Sequence, residues 1–306
     1  MGYINQGQDE GIISHRLASF KQHLFLRIPE HNTKMISYIF DYILELFCGS
    51  VASKKIEQDG LFKDKPSGLG ERQSPINIMT GSVVPTKNMP PLCCTYDPAS
   101  VNVVNTGSSW KMDFTADRTN LSGGPLEGNN YKIIQMHAHW GKKGGKGGSE
   151  HTIDGKKYDG ELHLVHFNTK YKDFAEAVDK PDGLAVLGMF LKAGKAHEEL
   201  EKICSNLSAV PTKGKSMIKD EDFIDPAKYI PTNRTFFTYP GSLTTPGFQE
   251  SVSWFVYQEP IEVSEAQLDA MRSLKIGEEE GCCGCMVDNF RPPCDLKGRT
   301  VKVVTA

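Results

Sequence analysis

Short apolar segments separated by turn-forming residues make up most of the chain after residue 70. The turns include residues 106–109, 122–125 and 128–130, in which Gly, Ser, Asn, Thr and Pro are clustered. Regularly spaced turns between short apolar segments are typical of β-rich domains. The pattern therefore predicts that most of the chain beyond residue 70 folds as β-structure.

Helical patterns are fewer and short. Residues 173–179, 195–207 and 264–274 carry apolar residues at helical spacing, and the last segment begins with Ser264 followed by Glu265, as a capped helix does. No internal repeat is visible, which argues against solenoids and propellers. We therefore expect a few helices on the surface of a sheet.

The first 60 residues have a different composition and are predicted to form an N-terminal extension, with the main domain over residues 61–306. An amphipathic helix is predicted over residues 35–48, because one stripe is apolar while the opposite stripe carries acidic residues. The alternative for residues 35–53 is a leader that ends at the small residues Val51, Ala52 and Ser53. No apolar stretch reaches the roughly 18 residues that a membrane span requires.

Composition excludes several classes of protein. The 306 residues include 35 Lys and Arg against 38 Asp and Glu, a net charge of −3, so no excess of positive charge favours nucleic-acid binding. The 8 cysteines are too few and too unevenly spaced for a disulfide scaffold. We therefore expect a globular protein that does not bind nucleic acid and does not span a membrane.

Residues 134–141 read as a strand that carries two histidines on one face. Alternation along a strand puts Gln135, His137 and His139 side by side, so two imidazoles point into one volume. A lone His-x-His pair is more often a hydrogen-bonded core or surface feature than a ligand pair. Metal binding therefore needs a further ligand from elsewhere in the chain.

Residues 161–166 read as a second strand, in which Glu161, His163 and Val165 share a face. A glycine-rich connection separates this strand from the first, so an antiparallel pairing would bring His163 to the two earlier histidines. Three His with a vacant fourth position is the pattern of catalytic rather than structural zinc. The spacing therefore predicts a zinc site with an open coordination position.

Gln135 and Glu161 each lie two positions before a predicted ligand and could accept a hydrogen bond from its second ring N–H. His151, next to Glu150, is predicted as a buried partner of Glu161. His166 faces the other side of its strand and is predicted to be a hydrogen-bonded core or surface histidine rather than a ligand.

Seven segments, in order along the chain, closely resemble the α-class carbonic anhydrases, and the resemblance extends from about Gly70 to Val304. They include Gly-Glu-Arg-Gln-Ser-Pro-Ile-Asn-Ile from Gly70, the His-x-His strand and Tyr-Pro-Gly-Ser-Leu-Thr-Thr-Pro from Tyr239. The segments are 70–80, 134–141, 149–152, 161–168, 181–190, 239–246 and 286–292. The resemblance implies an α+β, β-dominated fold: one domain around a large, mostly antiparallel twisted sheet with short surface helices.

The resemblance also implies an activity, the reversible hydration of carbon dioxide to bicarbonate and a proton, with a role in pH regulation. Zinc would be held by His137, His139 and His163 with water as the fourth ligand, whose pKa in this family of enzymes is about 7. Thr244 matches the hydroxyl that orients the nucleophile and donates to a buried glutamate, here Glu150. The residues that match the substrate pocket are Val165, Val186, Leu243, Thr244, Thr245 and Trp254.

Two departures from the family are visible. Ser108 stands where fast members have a histidine that shuttles protons, and serine does not titrate near neutral pH. Residues 1–60 lack the aromatic segment that precedes the Gln-Ser-Pro strand in the family. The sequence therefore predicts an enzyme without a histidine shuttle; the alternative is a catalytically weak, carbonic-anhydrase-like binding protein.

The setting is predicted from weaker signals. Secreted relatives usually have a cysteine just after the Thr-Thr-Pro motif, and residues 247–249 offer none, which favours the cytoplasm. Secretion is the alternative if residues 35–53 act as a leader. We expect a monomer that acts on a small molecule, carbon dioxide or bicarbonate.

Overall fold

The computed structural model describes residues 70–86, 89–114, 119–277 and 284–305. Strands dominate this part of the chain. They are β1 (Asn77–Ile78), β2 (Val84–Pro85), β3 (Leu92–Tyr96), β4 (Ala99–Asn105), β5 (Trp110–Phe114), β6 (Thr119–Gly123), β7 (Tyr131–Trp140), β8 (Thr152–Ile153), β9 (Gly160–Asn168), β10 (Leu184–Ala193), β11 (Ser216–Ile224), β12 (Phe236–Gly241), β13 (Val252–Tyr257), β14 (Ile261–Val263) and β15 (Lys302–Val304).

One large sheet organises the described residues. Its main path runs β11-β4-β5-β7-β9-β10-β13-β12-β15-β2, with β14 beside β10 and β3-β6 attached to β7. The pairs are antiparallel except β10·β13, β10·β14 and β15·β2; the separate pair β1·β8 is parallel as well. The predicted single domain around a large, mostly antiparallel sheet is confirmed.

The central strands β7, β9 and β10 are covered on both faces. Leu162 and Leu164 of β9 belong to a large apolar cluster on one side of the sheet, and Val165 belongs to a second cluster on the other. Because side chains alternate along a strand, His163 lies on the same side as Val165. The sheet thus presents His163 on the face that carries the second apolar cluster.

The helices are short, as predicted, and shorter than their sequence patterns. They are α1 (Phe174–Ala177), α2 (Glu198–Cys204) and α3 (Glu265–Arg272), with 3₁₀ turns at Thr80–Ser82, Gly124–Leu126, Leu207–Ala209 and Pro226–Tyr229. Ser264 caps α3 through a reciprocal capping box with Gln267. The predicted cap is confirmed, with the third helical residue as its partner.

The helix predicted over residues 35–48, like the rest of the N-terminal extension, lies outside the described residues. In the part of the chain that is described, no helix has both the length and the apolar character needed to cross a membrane.

Candidate metal centre

Pairing of β7 with β9 brings the three predicted ligands together. The antiparallel register sets His137 opposite His163 and His139 opposite Glu161. The ring centroids are 5.1 Å apart for His137 and both other rings, and 4.9 Å apart for His139 and His163. One ring nitrogen from each histidine lies within 4.8 Å of the other two.

Each imidazole donates its other ring N–H to an oxygen that fixes its tautomer. His137 Nδ1 lies 2.8 Å from Gln135 Oε1, and His163 Nε2 lies 2.9 Å from Glu161 Oε1. His139 Nδ1 lies 2.7 Å from the main-chain carbonyl of Asn289. Because these oxygens accept hydrogen bonds, the protons lie on these nitrogens, and the remaining three nitrogens carry lone pairs.

The three lone pairs face one another, which is the arrangement that a cation requires. His137 Nε2 and His163 Nδ1 are 3.3 Å apart with no proton available for either to donate, and buried His139 Nε2 has no hydrogen-bond partner among the described residues. A tetrahedral zinc with Zn–N bonds of about 2.0–2.1 Å would separate two ligand nitrogens by about 3.4 Å. The residues present therefore fit a zinc ion.

Burial favours the neutral forms of His137 and His139. Desolvation holds the pKa of His137 well below its usual value, and the neighbouring His139 and His163 lower it further. Desolvation also lowers the pKa of His139, although Glu150 opposes the shift. Neutral imidazoles are the protonation state that binds a metal.

Glu161 holds the rings of His151 and His163 in place through hydrogen bonds. Its Oε1 accepts from the rings of His151 (2.6 Å) and His163, and its Oε2 accepts from the main-chain N–H groups of Glu150 (2.9 Å) and His151 (2.8 Å). Burial alone would raise the pKa of Glu161, but the two histidines and these hydrogen bonds hold it well below its usual value. His151 is the buried partner that the sequence predicted.

The strand behind His163 leaves room for this network. Gly188 of β10 is opposite His163, and a Cβ there would lie 3.2 Å from Glu161 Oε1 and 3.8 Å from the His163 ring. A side chain at this position would therefore press on the hydrogen-bonded pair.

Glu150 is fully buried beside the histidines. Its Oε1 accepts from the Arg291 main-chain N–H at 2.8 Å, whereas its Oε2 has no hydrogen-bond partner among the described residues and lies 3.4 Å from His139 Nε2. Thr244 is buried in the connection between β12 and β13. The hydrogen bond from Thr244 to Glu150 that the resemblance implies stays a prediction.

An apolar row continues the His163 face across three strands. Val186 of β10 is opposite Val165 of β9 on one side and beside Trp254 of β13 on the other, and all three are buried. The Trp254 ring contacts the His163 ring edge-on, with centroids 4.9 Å apart. Leu243 packs against the same cluster, and Thr245 is partly exposed in the same connection as Thr244.

Ser108 lies in the turn between β4 and β5. Its hydroxyl is 3.1 Å from the Thr106 hydroxyl, and its carbonyl accepts from Asn289 Nδ2 at 2.8 Å. The side chain at this position is thus a hydrogen-bonded hydroxyl.

Sequence reasoning missed Asn289. Besides receiving the His139 N–H on its carbonyl, Asn289 accepts from the Trp140 main-chain N–H through Oδ1 at 2.7 Å. It lies within the segment 286–292 that resembles the family. Its contact with His139 uses the main-chain carbonyl, so the residue type does not reveal it.

An ion pair beside the ligands was also missed. Lys111 and Asp113 of β5 are opposite His137 and Gln135 of β7, so their side chains share the face of the metal centre. Lys111 Nζ lies 2.7 Å from Asp113 Oδ1, with about a third of each side chain exposed (37%). A cation is therefore held near the candidate zinc position by a carboxylate.

Comparison with known proteins identifies the family of this chain. The sequence pattern of the family described as eukaryotic-type carbonic anhydrase matches residues 61–305. Carbonic anhydrase 7 of Mus musculus is 47% identical over 241 residues, 78% of this chain and 90% of the relative. Carbonic anhydrase 7 of Homo sapiens is 46% identical over the same lengths. Sequence, sheet and histidine cluster together assign this chain to the carbonic anhydrase family, as an enzyme of the lyase class.

Proposed function

We propose that this chain catalyses the zinc-dependent, reversible hydration of carbon dioxide to bicarbonate and a proton, with residues 61–306 as the catalytic domain. His137, His139 and His163 are the zinc ligands in this proposal. The observation that carries it is the convergence of three imidazole nitrogens whose lone pairs accept no hydrogen bond from the described residues. Membership of the carbonic anhydrase family supports the same reaction.

When bound, zinc supplies a water acidic enough to act as a nucleophile at neutral pH. The chain's own residues do the rest. Gln135, Glu161 and Asn289 each hold one ligand ring in a fixed orientation, so the ligand geometry is set before the metal arrives. His151 supports the site by holding Glu161.

Substrate positioning falls to the apolar row. Val165, Val186 and Trp254 form a dry wall beside His163, and Leu243 and Thr245 complete the pocket in this proposal. Carbon dioxide has no charge and few polar contacts to offer, so an apolar wall favours it over water. Thr244 and Glu150 fix the direction of the nucleophile, with the Thr244 hydroxyl donating to the free Glu150 Oε2.

Proton release is the slow step in this proposal. Ser108 occupies the position of the family's histidine shuttle, and a serine hydroxyl does not titrate near neutral pH, so it cannot take up and release the proton as an imidazole does. Turnover is then limited by the buffer that removes the proton. We further propose a cytoplasmic monomer that contributes to pH regulation.

The test is stopped-flow hydration of carbon dioxide by the purified full chain, zinc-loaded and zinc-stripped, over a series of buffer concentrations. The expected result is zinc-dependent hydration whose rate climbs with buffer. His139→Ala should lose both zinc and hydration. His197→Asn is the control: His197 caps α2, away from the cluster, and Asn retains the capping ability.

Two results would count against the proposal. Zinc-loaded protein without hydration would favour the alternative of a carbonic-anhydrase-like binding protein. If the His139→Ala variant retained its zinc, the assignment of the three histidines as the ligands would be wrong.

A further inference from the structure

A basic cavity lies on the surface where β9 begins and β10 ends, lined by none of the residues assigned to the metal centre or the substrate pocket. Its volume is about 440 Å³, within the range of small-molecule sites. The lining residues are Gly145, Lys146, Gly147, Lys156, Lys157, Tyr158, Asp159 and Lys192. Four lysines face one aspartate, a local charge of +3 on a chain whose net charge is −3.

Three of the four ammonium groups make no ion pair among the described residues. Within the described residues, no carboxylate oxygen lies within 4.0 Å of the ammonium groups of Lys146, Lys156 or Lys192. The aspartate is engaged elsewhere, because Asp159 Oδ2 accepts from the Ala193 main-chain N–H at 2.8 Å. Among the described residues, the cavity therefore presents ammonium groups that are not held in ion pairs.

Lys157 is held in place by aromatic packing. Its Nζ lies 3.3 Å from the centroid of the Phe290 ring, and the side chain is partly buried. Burial lowers the pKa of Lys157, and Glu150 is the strongest of the acidic groups that oppose the shift. A partly desolvated ammonium gains more from an anion than a fully hydrated one does.

The glycine-rich connection after β7 builds one wall of the cavity. Gly147 has φ of +97°, and a Cβ there would lie 2.6 Å from the Tyr158 carbonyl oxygen and 2.8 Å from Lys157 Cβ. The Gly148 N–H donates to the same carbonyl at 2.7 Å. Close backbone contact thus fixes the wall that carries Lys146 before any ligand arrives.

We propose that this cavity binds a small anion that carries two or more linked phosphate groups. A single phosphate, with a charge between −1 and −2 near neutral pH, leaves part of the +3 unmatched, whereas linked phosphates match it. Lysine ammonium groups bind phosphate as point charges and need no bidentate geometry. The linked phosphates belong either to a soluble molecule or to a lipid headgroup.

The first experiment is calorimetric titration of the zinc-loaded full chain with tripolyphosphate, alongside inorganic phosphate. We expect saturable binding of tripolyphosphate with one site per chain, weaker binding of phosphate, and loss of affinity as salt is raised. The double variant Lys146→Ala with Lys192→Ala should bind tripolyphosphate about tenfold more weakly or worse. Carbon dioxide hydration by the variant checks that the fold is intact.

The matched control is Lys172→Ala with Lys228→Ala, which removes the same charge from two exposed lysines away from the cavity. Its affinity should stay at the unsubstituted level. Equal weakening in both double variants would mean a general charge effect or zinc chelation, and would overturn the site. Absence of saturable binding to the unsubstituted chain would overturn it as well.

A second arm separates the two sources of the ligand. Sedimentation with vesicles that contain a phosphorylated inositol lipid, at matched ionic strength, tests the headgroup. Binding to tripolyphosphate alone identifies a soluble ligand, and vesicle binding that Lys146→Ala with Lys192→Ala abolishes identifies a headgroup. Failure of the unsubstituted chain to bind tripolyphosphate would refute the proposal whatever the vesicles show. The hydration assay on the same protein tests the proposed catalytic function separately.

Discussion

His166 lies on the face of β9 opposite the metal centre and is fully buried. Its Nε2 is 2.8 Å from the Tyr96 hydroxyl and its Nδ1 is 3.2 Å from the Ala185 carbonyl, so the neutral ring has a partner for each nitrogen. Burial lowers the pKa of His166 to about 4. We predict that this one side chain makes the folded protein sensitive to mild acid.

The size of the effect follows from the two pKa values. The unfolded chain protonates His166 near pH 6.5, and the folded chain does so only near pH 4, so between these values the unfolded state binds more protons and stability falls as the pH falls. The contribution is fully present above pH 6.5 and fully lost below pH 4, a total of about 3 kcal/mol. Between pH 7 and pH 5 the loss is about 2 kcal/mol.

The assay is urea denaturation of the unsubstituted chain and of His166→Gln at a series of pH values, both zinc-loaded. Gln preserves hydrogen bonding but does not titrate, so the variant starts less stable at pH 7 and loses about 2 kcal/mol less than the unsubstituted chain on going to pH 5. Comparing the two chains cancels the pH dependence of the zinc ligands. Parallel stability curves over this range would refute the reasoning.

Two further predictions concern the metal-centre face. Ser108→His should raise turnover in weak buffer by about tenfold or more and flatten its dependence on buffer concentration; stopped-flow traces without such a gain would show that position 108 does not govern proton release. Asp113→Asn frees Lys111 from its ion pair and should strengthen inhibition by thiocyanate about threefold, whereas Lys111→Met should weaken it. Identical inhibition constants in the unsubstituted chain and both variants would mean that the Lys111 ammonium group does not interact with an anion bound at the metal.

Local alternation was enough to predict which histidines converge. His137, His139 and His163 lie on two strands whose period-2 pattern alone assigns them to a face, and a strand connection of fewer than 20 residues limits how the two strands pair. The same alternation of side chains along each strand predicted that Gln135 lies beside His137 and Glu161 beside His163. The family resemblance then supplied the functional assignments that the spacing left open.

Residues far apart in sequence were beyond this kind of reasoning. Asn289 reaches His139 through a main-chain carbonyl, which any residue type offers, so nothing in its identity announces the contact. The parallel pairing of β10 with β13, which aligns Val186 with Trp254, is set by the whole sheet rather than by either segment. The Lys111–Asp113 pair required the register of β5 against β7.

The contacts made by residues 289–291 have a consequence for the order of events during synthesis. Asn289 orients the His139 ring and the Arg291 N–H holds Glu150, so two supports of the candidate metal centre come from a segment that is synthesised long after β7 and β9. Until residues 289–291 have been synthesised and have packed against β7, His139 lacks its orienting carbonyl even if β7 and β9 have already paired. We therefore expect the candidate metal centre to reach its full affinity for zinc only after this late segment has folded against the two histidine strands.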